Sequence, residues 1–269
     1  MKLSEAARLL SEAGVEDARA EARTLFTTLG GFSLSETVGA DVSSDDVRLI
    51  EAIERRAKRE PLQYLIGQVD FYRESYKVSP DCLIPRQDTE ILVDLAVRMI
   101  PQGERFIDLC TGSGCIAIST LKNTKNTAAV AVDLSRGALK IARDNAERNG
   151  VSDRVTFIEA DVLKERVEGE FFAVLSNPPY VTQSAYDSLE PELYFEPRMA
   201  LVGTDDDGAG FYRRIAELYC PAIKAGGFIA FEIGYDQAAV LKDIAKGLGM
   251  SCEIIKDLCG NDRVALIKK

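Results

Sequence analysis

Phe106-Ile107-Asp108-Leu109-Cys110-Thr111-Gly112-Ser113-Gly114, running on into Cys115-Ile116-Ala117, decides the fold of this chain. The first four residues suit a buried strand, and Cys115 opens a helical apolar pattern. Between them Gly112 and Gly114 let the backbone approach a ligand at the helix N-terminus. Strand, glycine loop and helix in that order begin a βαβ unit. The alternation continues downstream, with strands expected at 105–109, 128–133, 154–160, 171–176 and 227–233. Helices fit 115–122, 136–149, 208–224 and 236–248. These strands are near-continuous apolar runs, the mark of a parallel sheet covered on both faces. In the tail, 251–256 and 263–268 flank Cys259-Gly260-Asn261-Asp262, a turn between two antiparallel strands. The expectation is an α/β, Rossmann-like domain over 87–269 with a mostly parallel seven-stranded sheet and an antiparallel C-terminal hairpin.

Upstream the periodicity is helical and predicts a small helical domain over 1–66. Ser4 is placed to cap a first helix carrying Ala7, Leu9 and Leu10, and a second spans about 15–29. A third follows Ser43-Ser44 with Val47, Ile50, Ile53 and Ala57 on one face, and Glu51–Arg55 and Glu54–Lys58 at pairing distance. Residues 67–86 read as a hairpin or connector, after which Asp88 caps a helix built on Ile91, Leu92, Leu95 and Met99.

Composition narrows the chemistry. The 269 residues are 46% hydrophobic and carry a net charge of −10, with 14 acidic against 10 basic side chains already in residues 1–75. Acidity on this scale argues against a nucleic-acid partner, whose affinity rests on phosphate neutralisation. No apolar stretch approaches the ~20 residues of a membrane span, and acids scattered through residues 1–22 exclude a signal peptide. A cytoplasmic protein is expected. Histidine is absent and the six cysteines form no C-x-x-C pair, so neither a zinc site nor Ser-His or Cys-His catalysis is expected. Asp205-Asp206-Asp207 lacks further ligands at calcium spacing and reads as a solvated approach to a helix. No metal is assigned.

Gly112-x-Gly114-x-x-Ala117 also satisfies the dinucleotide fingerprint, so the glycines alone leave the ligand open. Asp133, ending the next strand, can accept both hydroxyls of a ribose, a contact shared by NAD and S-adenosylmethionine. Asp108 separates the two. A carboxylate at the mouth of the loop repels a pyrophosphate and attracts an ammonium and sulfonium, by ~1–4 kcal/mol at a few Å. Asp161 is placed to accept from an adenine amino group. Cys110, Thr111, Gly112, Ser113, Gly114, Val162 and Asn177 complete the expected cofactor contacts.

The apolar run 171–175 ends in Ser176-Asn177-Pro178-Pro179-Tyr180. Neither proline donates a backbone hydrogen bond and each ring fixes φ, so the turn is stiff. An amide nitrogen is a poor nucleophile because its lone pair is delocalised. The Asn177 side-chain oxygen and the Pro178 carbonyl can hold both of its hydrogens and stabilise the positive charge that grows during methyl transfer. Tyr180 can stack on the planar group, with Pro179 beside it. No strong base is required, which suits a chain without histidine.

At these residues the chain resembles class I S-adenosylmethionine-dependent methyltransferases that act on amino nitrogens through Asn-Pro-Pro-Tyr. Within them it is similar to the HemK/PrmC family of release factor glutamine N5-methyltransferases. The likeness runs through Arg59-Glu60-Pro61-Leu62-Gln63-Tyr64-Leu65-Ile66-Gly67, Phe71, Pro85-Arg86-Gln87-Asp88-Thr89-Glu90, Phe195-Glu196-Pro197 and Gly260-Asn261-Asp262-Arg263 as well as the two motifs above. It implies S-adenosylmethionine as donor, S-adenosylhomocysteine as product and the glutamine of the Gly-Gly-Gln motif of class I peptide chain release factors as acceptor. It implies a monomer whose N-terminal helices dock that protein, with residues 85–90 at the cofactor entrance and Phe71 and Glu196 near the site or structural. Cys110 stands where the family usually has glycine, and Val162 where a larger side chain often flanks adenine.

Three other readings compete. A nucleic-acid amino-methyltransferase could grip a flipped base with the same tetrapeptide, but the acidic charge opposes it. An NAD-dependent oxidoreductase leaves Asp108 and Asn177 unexplained. A docking module without chemistry is at odds with an intact Asn177.

Overall fold

The helices of the N-terminal segment gather around apolar residues at helical spacing. In the computed structural model, which describes residues 1–43 and 46–269, Met1–Gln68 and Glu190–Phe195 form one compact unit and Val69–Leu189 with Glu196–Lys269 form the other. Residues 190–195, expected within 87–269, therefore cluster with the helices. That unit contains α1 (Leu3–Glu12), α2 (Ala18–Thr28), α3 (Val47–Ala57) and α4 (Leu62–Ile66), closed over Leu10, Ala22, Leu25, Phe26, Leu49 and Ile53.

Several local expectations need correction. Ser4 lies inside α1 and caps nothing; the Glu5 carboxylate instead accepts from the Lys2 backbone N–H at 2.8 Å. Ser44, half of the predicted start of α3, lies outside the described residues. The buried face of α3 is Leu49, Ala52, Ile53 and Arg56, while Val47 is 64% exposed. Apolar spacing misplaced the face because a charged residue occupies it. The Arg56 guanidinium sits between Glu21 at 2.5 Å and Glu192 at 3.0 Å, and Arg59 reaches the same Glu192 at 2.5 Å. Arg55 pairs with Glu60 at 2.5 Å rather than with Glu51.

The second unit opens with a hairpin, β1 (Gln68–Phe71) and β2 (Glu74–Lys77), joined by Tyr72 and Arg73, both with positive φ. A 3₁₀ turn (Gln87–Thr89) leads into α5 (Glu90–Met99). Asp88 does not cap it; its carboxylate pairs with Arg263 at 3.1 Å. Then follow β3 (Arg105–Leu109), α6 (Cys115–Asn123), β4 (Ala128–Asp133), α7 (Arg136–Arg148), β5 (Val155–Glu159), β6 (Phe171–Ser176), α8 (Gln183–Tyr186), α9 (Arg198–Leu201), α10 (Gly210–Tyr219), β7 (Ile223–Glu232), α11 (Ala238–Gly247), β8 (Ser251–Lys256) and β9 (Asp262–Lys268). The helix expected to reach residue 224 stops at Tyr219, because Pro221 lacks an amide and Ile223 already pairs with Phe171.

The seven strands lie in the order β5-β4-β3-β6-β7-β9-β8. β3 to β7 run parallel, and β9 runs antiparallel to β7 and β8. Alternate residues of each strand face opposite sides, so Phe106, Leu175 and Phe228 enter one core while Ile107, Val174 and Ile229 enter the other. β3 is central, with its successor β4 on one side and β6 on the other. The order reverses there, and a crevice forms at the strands' carboxyl ends. Among the described residues no helix is long and apolar enough to cross a membrane.

Candidate active site

A cleft of about 270 Å³ opens beyond the strands, lined by the segments that follow β3, β4, β5 and β6. Its floor is the glycine loop. Thr111 N–H bonds back to Val132 O at 2.9 Å and Gly114 N–H to Thr111 O at 2.8 Å, folding the chain sharply into α6. Gly114 has φ +82, and a Cβ there would stand 2.9 Å from Ile118 Cδ1 and 3.1 Å from Ala142 Cβ, so glycine lets α6 pack on α7. Gly112 has φ +56 and open space where its Cβ would be. The loop thus presents bare backbone to a ligand. Cys110, with φ +60, adopts the left-handed conformation without being glycine.

Asp108 lies beneath this loop, fully enclosed, and not at its mouth. Its Oδ2 accepts from Thr111 Oγ1 at 2.5 Å and Ala117 N at 3.2 Å, while Oδ1 has no partner among the described residues. Burial pushes its pKa up to about 7, although the Thr111 and Ala117 bonds pull the other way. The carboxylate rank was misjudged from sequence because every residue of β3 after Arg105 is buried. Asp133 does line the cleft. Its Oδ2 accepts from Gly112 N at 2.8 Å and Oδ1 from Ser135 N at 2.9 Å, which fixes the carboxylate at the cleft edge. Burial raises its pKa, partly opposed by those backbone bonds. Asp161 stands two residues beyond β5, on the cleft, with Oδ1 taken by Leu163 N at 3.0 Å and Oδ2 paired with Lys164 at 2.9 Å. The Lys164 bond, chiefly, lowers its pKa.

The Asn177–Tyr180 turn is braced from behind. Ser176 Oγ donates to Leu109 O at 2.6 Å, Val181 N to Leu201 O at 2.9 Å, and Gly203 N to Val181 O at 3.0 Å. Gly208 lies so close that a Cβ would fall 2.1 Å from Tyr180 O. Asn177 and Pro179 line the cleft; Pro178 and Tyr180 do not. Tyr180 packs against the core that holds Tyr212 and Phe231, and burial pushes its pKa up to about 12. Asn177 Nδ2 donates to Thr89 Oγ1 at 3.5 Å.

Comparison with known proteins decides the family. The profile described as "Methyltransferase small domain" matches residues 87–195, and "PrmC N-terminal domain" matches residues 2–67. A release factor glutamine methyltransferase of Geobacter sulfurreducens is 37% identical over 95% of this chain and 91% of its own length. One from Thermodesulfovibrio yellowstonii is 39% identical over 87% of this chain and 85% of its own. The chain belongs to the release factor glutamine methyltransferase family. Its fold is also that of a methyltransferase from Pyrococcus furiosus, similar at a TM-score of 0.54 and 21% identity over 84% of this chain and 98% of that one.

For this family member the structure brings Cys110, Thr111, Gly112, Ser113, Asp133, Asp161, Val162, Asn177 and Pro179 to one cleft, and leaves Asp108, Gly114, Pro178 and Tyr180 behind its walls. Of residues 85–90, Pro85, Arg86 and Thr89 line it. Phe71 is core, packed edge-on against Tyr76 at 5.8 Å. Glu196 is buried and holds the rim, accepting from Ile84 N at 3.0 Å and from the Arg86 guanidinium. Asp205 and Asp207 pair with Arg213, whose hydrogen bond lowers the Asp207 pKa to about 2. Two buried polar residues lie near Asn177: Thr89, read from sequence only as part of the cofactor entrance, and Glu232, which escaped the sequence reading. Glu232 ends the apolar run 228–231, and that strand-end position was the available signal.

Proposed function

We propose that this protein transfers a methyl group from S-adenosylmethionine to the side-chain nitrogen of the glutamine in the Gly-Gly-Gln motif of class I release factors. The observation that carries the reading is Asn177 on the cleft wall with its NH2 turned to Thr89, which leaves its carbonyl oxygen to accept from a substrate amide. The residues fit the donor. Open backbone at Gly112, the carboxylate of Asp133 on the cleft and the apolar wall of Val162 and Leu134 suit an adenosyl group. Bound there, S-adenosylmethionine supplies an activated methyl and leaves as S-adenosylhomocysteine.

The chain's own contribution is placement and charge. Asn177 Oδ1 accepts one hydrogen of the glutamine amide and aims its nitrogen; the Pro178 carbonyl is the second acceptor assigned from sequence. As the N–C bond forms, those oxygens stabilise the positive charge on nitrogen until a proton leaves to water. Positioning supplies the remainder, since the methyl donor is already reactive. The N-terminal helices dock the release factor, and the enzyme works as a cytoplasmic monomer without a metal or nucleic-acid partner.

The test incubates the protein with methyl-labelled S-adenosylmethionine and either a release factor or DNA. Label is expected on the release factor and is lost when its acceptor glutamine becomes alanine. Label on DNA alone overturns the reading.

A further inference from the structure

Glu232 is nearly sealed from solvent (2% exposed), as is Thr89 (2%), and Glu232 has no place in the chemistry described so far. The Thr89 side chain stands within reach of the Glu232 carboxylate and favours its ionised form, and it also meets Asn177 Nδ2 at 3.5 Å. Glu232 Oε2 has no partner among the described residues. A threonine hydroxyl has one proton. When it goes to Glu232, the oxygen can only accept from Asn177, and the carboxamide must turn its NH2 that way.

We propose that ionised Glu232 is a positioning residue, which acts through Thr89 to hold the Asn177 carbonyl oxygen towards the substrate amide. The inference rests on the methyl-transfer reading above and deepens it. A protonated Glu232 reverses the chain of donors. Its O–H donates to Thr89, the Thr89 O–H turns to donate to Asn177 Oδ1, and the NH2 of Asn177 faces the cleft. That face then repels the hydrogens it should accept. The groups around Glu232 decide where the change falls. Arg86 and Asp88 lie ahead of α5, Arg263 on β9, Tyr180 after β6, Cys115 on α6 and Tyr212 on α10. Burial is the largest influence and pushes the carboxyl up; Thr89, Arg263 and Arg86 oppose it and Asp88 adds to it, for a pKa of about 7.

The first readout needs no turnover. The side-chain NH2 resonances of Asn177, assigned with Asn177→Ala, should titrate with a midpoint near 7 in the wild-type protein. They should stop titrating in Glu232→Gln and Thr89→Val, and titrate again in Thr89→Ser, which restores the hydroxyl. The second readout is kinetic. Wild-type kcat on a release factor should rise through the same midpoint with KM nearly constant. Glu232→Gln should be about tenfold slower above it, the value of one oriented hydrogen bond, and flat with pH. An Asn177 signal that ignores pH, or titrates equally in Glu232→Gln, overturns the relay even if the release factor is methylated. A titration abolished in both variants supports the relay even if no release factor is methylated, and the proposed function then fails by itself.

Discussion

Replacing Asp108 by asparagine should flatten the pH dependence of folding stability across the window in which a buried carboxylic acid ionises. The pKa of Asp108 is raised by burial from 3.8 to about 7. Between those values the folded chain holds a proton that the unfolded chain has released. Stability therefore falls as pH rises through the window, is undiminished below about 4 and bottoms out above about 7. A displacement of that size corresponds to about 4 kcal/mol between the two protonation states, an upper bound for a relaxed site. Asparagine resembles the neutral acid. Its Oδ1 can keep the bonds from Thr111 and Ala117 that Asp108 Oδ2 accepts. Glu232 titrates in the same range but is present in both proteins, so it cancels in their difference. Urea midpoints at intervals from pH 4 to 8, without ligand, measure that difference. The advantage of wild type over Asp108→Asn should shrink by about 1–4 kcal/mol as pH rises. A difference constant across the range would show that Asp108 is already ionised below pH 4 and would refute the argument from burial.

Three further outcomes follow from named contacts. Asn177→Ala should leave the Kd for S-adenosylmethionine within about threefold by calorimetry while single-turnover methylation drops ~10²–10³-fold, as for loss of an oriented acceptor; an unchanged rate removes Asn177 from the reaction. Glu192→Gln should destabilise the protein by about 2–3 kcal/mol near neutrality, because buried Arg56 loses one of its two carboxylates. Burial opposes ionisation of Glu192, but Arg59 and Arg56 outweigh it and hold the pKa low, so the penalty should fade only as pH drops below the ordinary carboxylate range. Arg73→Gly should raise the melting temperature by a few degrees, since exposed Arg73 sits at φ +68 in a two-residue hairpin turn that favours glycine; a lower melting temperature would mean that the Arg73 side chain makes a contact worth more than its strain.

What could be read from residues alone divides along physical lines. Buried parallel strands announce themselves because both faces are covered, so β3, β4 and β6 were placed to the residue. The antiparallel tail was legible from Gly260-Asn261-Asp262. The face of α3 was not, because a buried arginine looks like a surface residue until Glu21 and Glu192 are seen around it. The same blindness hid the cleft's inner wall. Asp108 and Asp133 both lie near the carboxyl ends of apolar strands, and only three-dimensional packing shows that one is sealed under the loop while the other lines the cleft. Thr89 precedes β3 and Glu232 ends β7, so no local pattern could join them to Asn177. Tyr180 shows the same ambiguity: one face of the ring packs on the core beneath the turn, a contact that the sequence could not separate from a role at the site.

The return of residues 190–195 to the helical unit bears on how the protein is made. Glu192 lies 136 residues after Arg56 and 133 after Arg59. At ribosomal speeds of about 5–20 residues per second, that carboxylate arrives roughly seven to twenty-seven seconds after the guanidinium groups have emerged. Throughout that interval the nascent helices carry Arg56 with Glu21 as its single counter-charge. The N-terminal unit is first in order of synthesis yet completes its electrostatic closure only after β3 to β6 have left the tunnel, which makes its maturation contingent on the chain that follows.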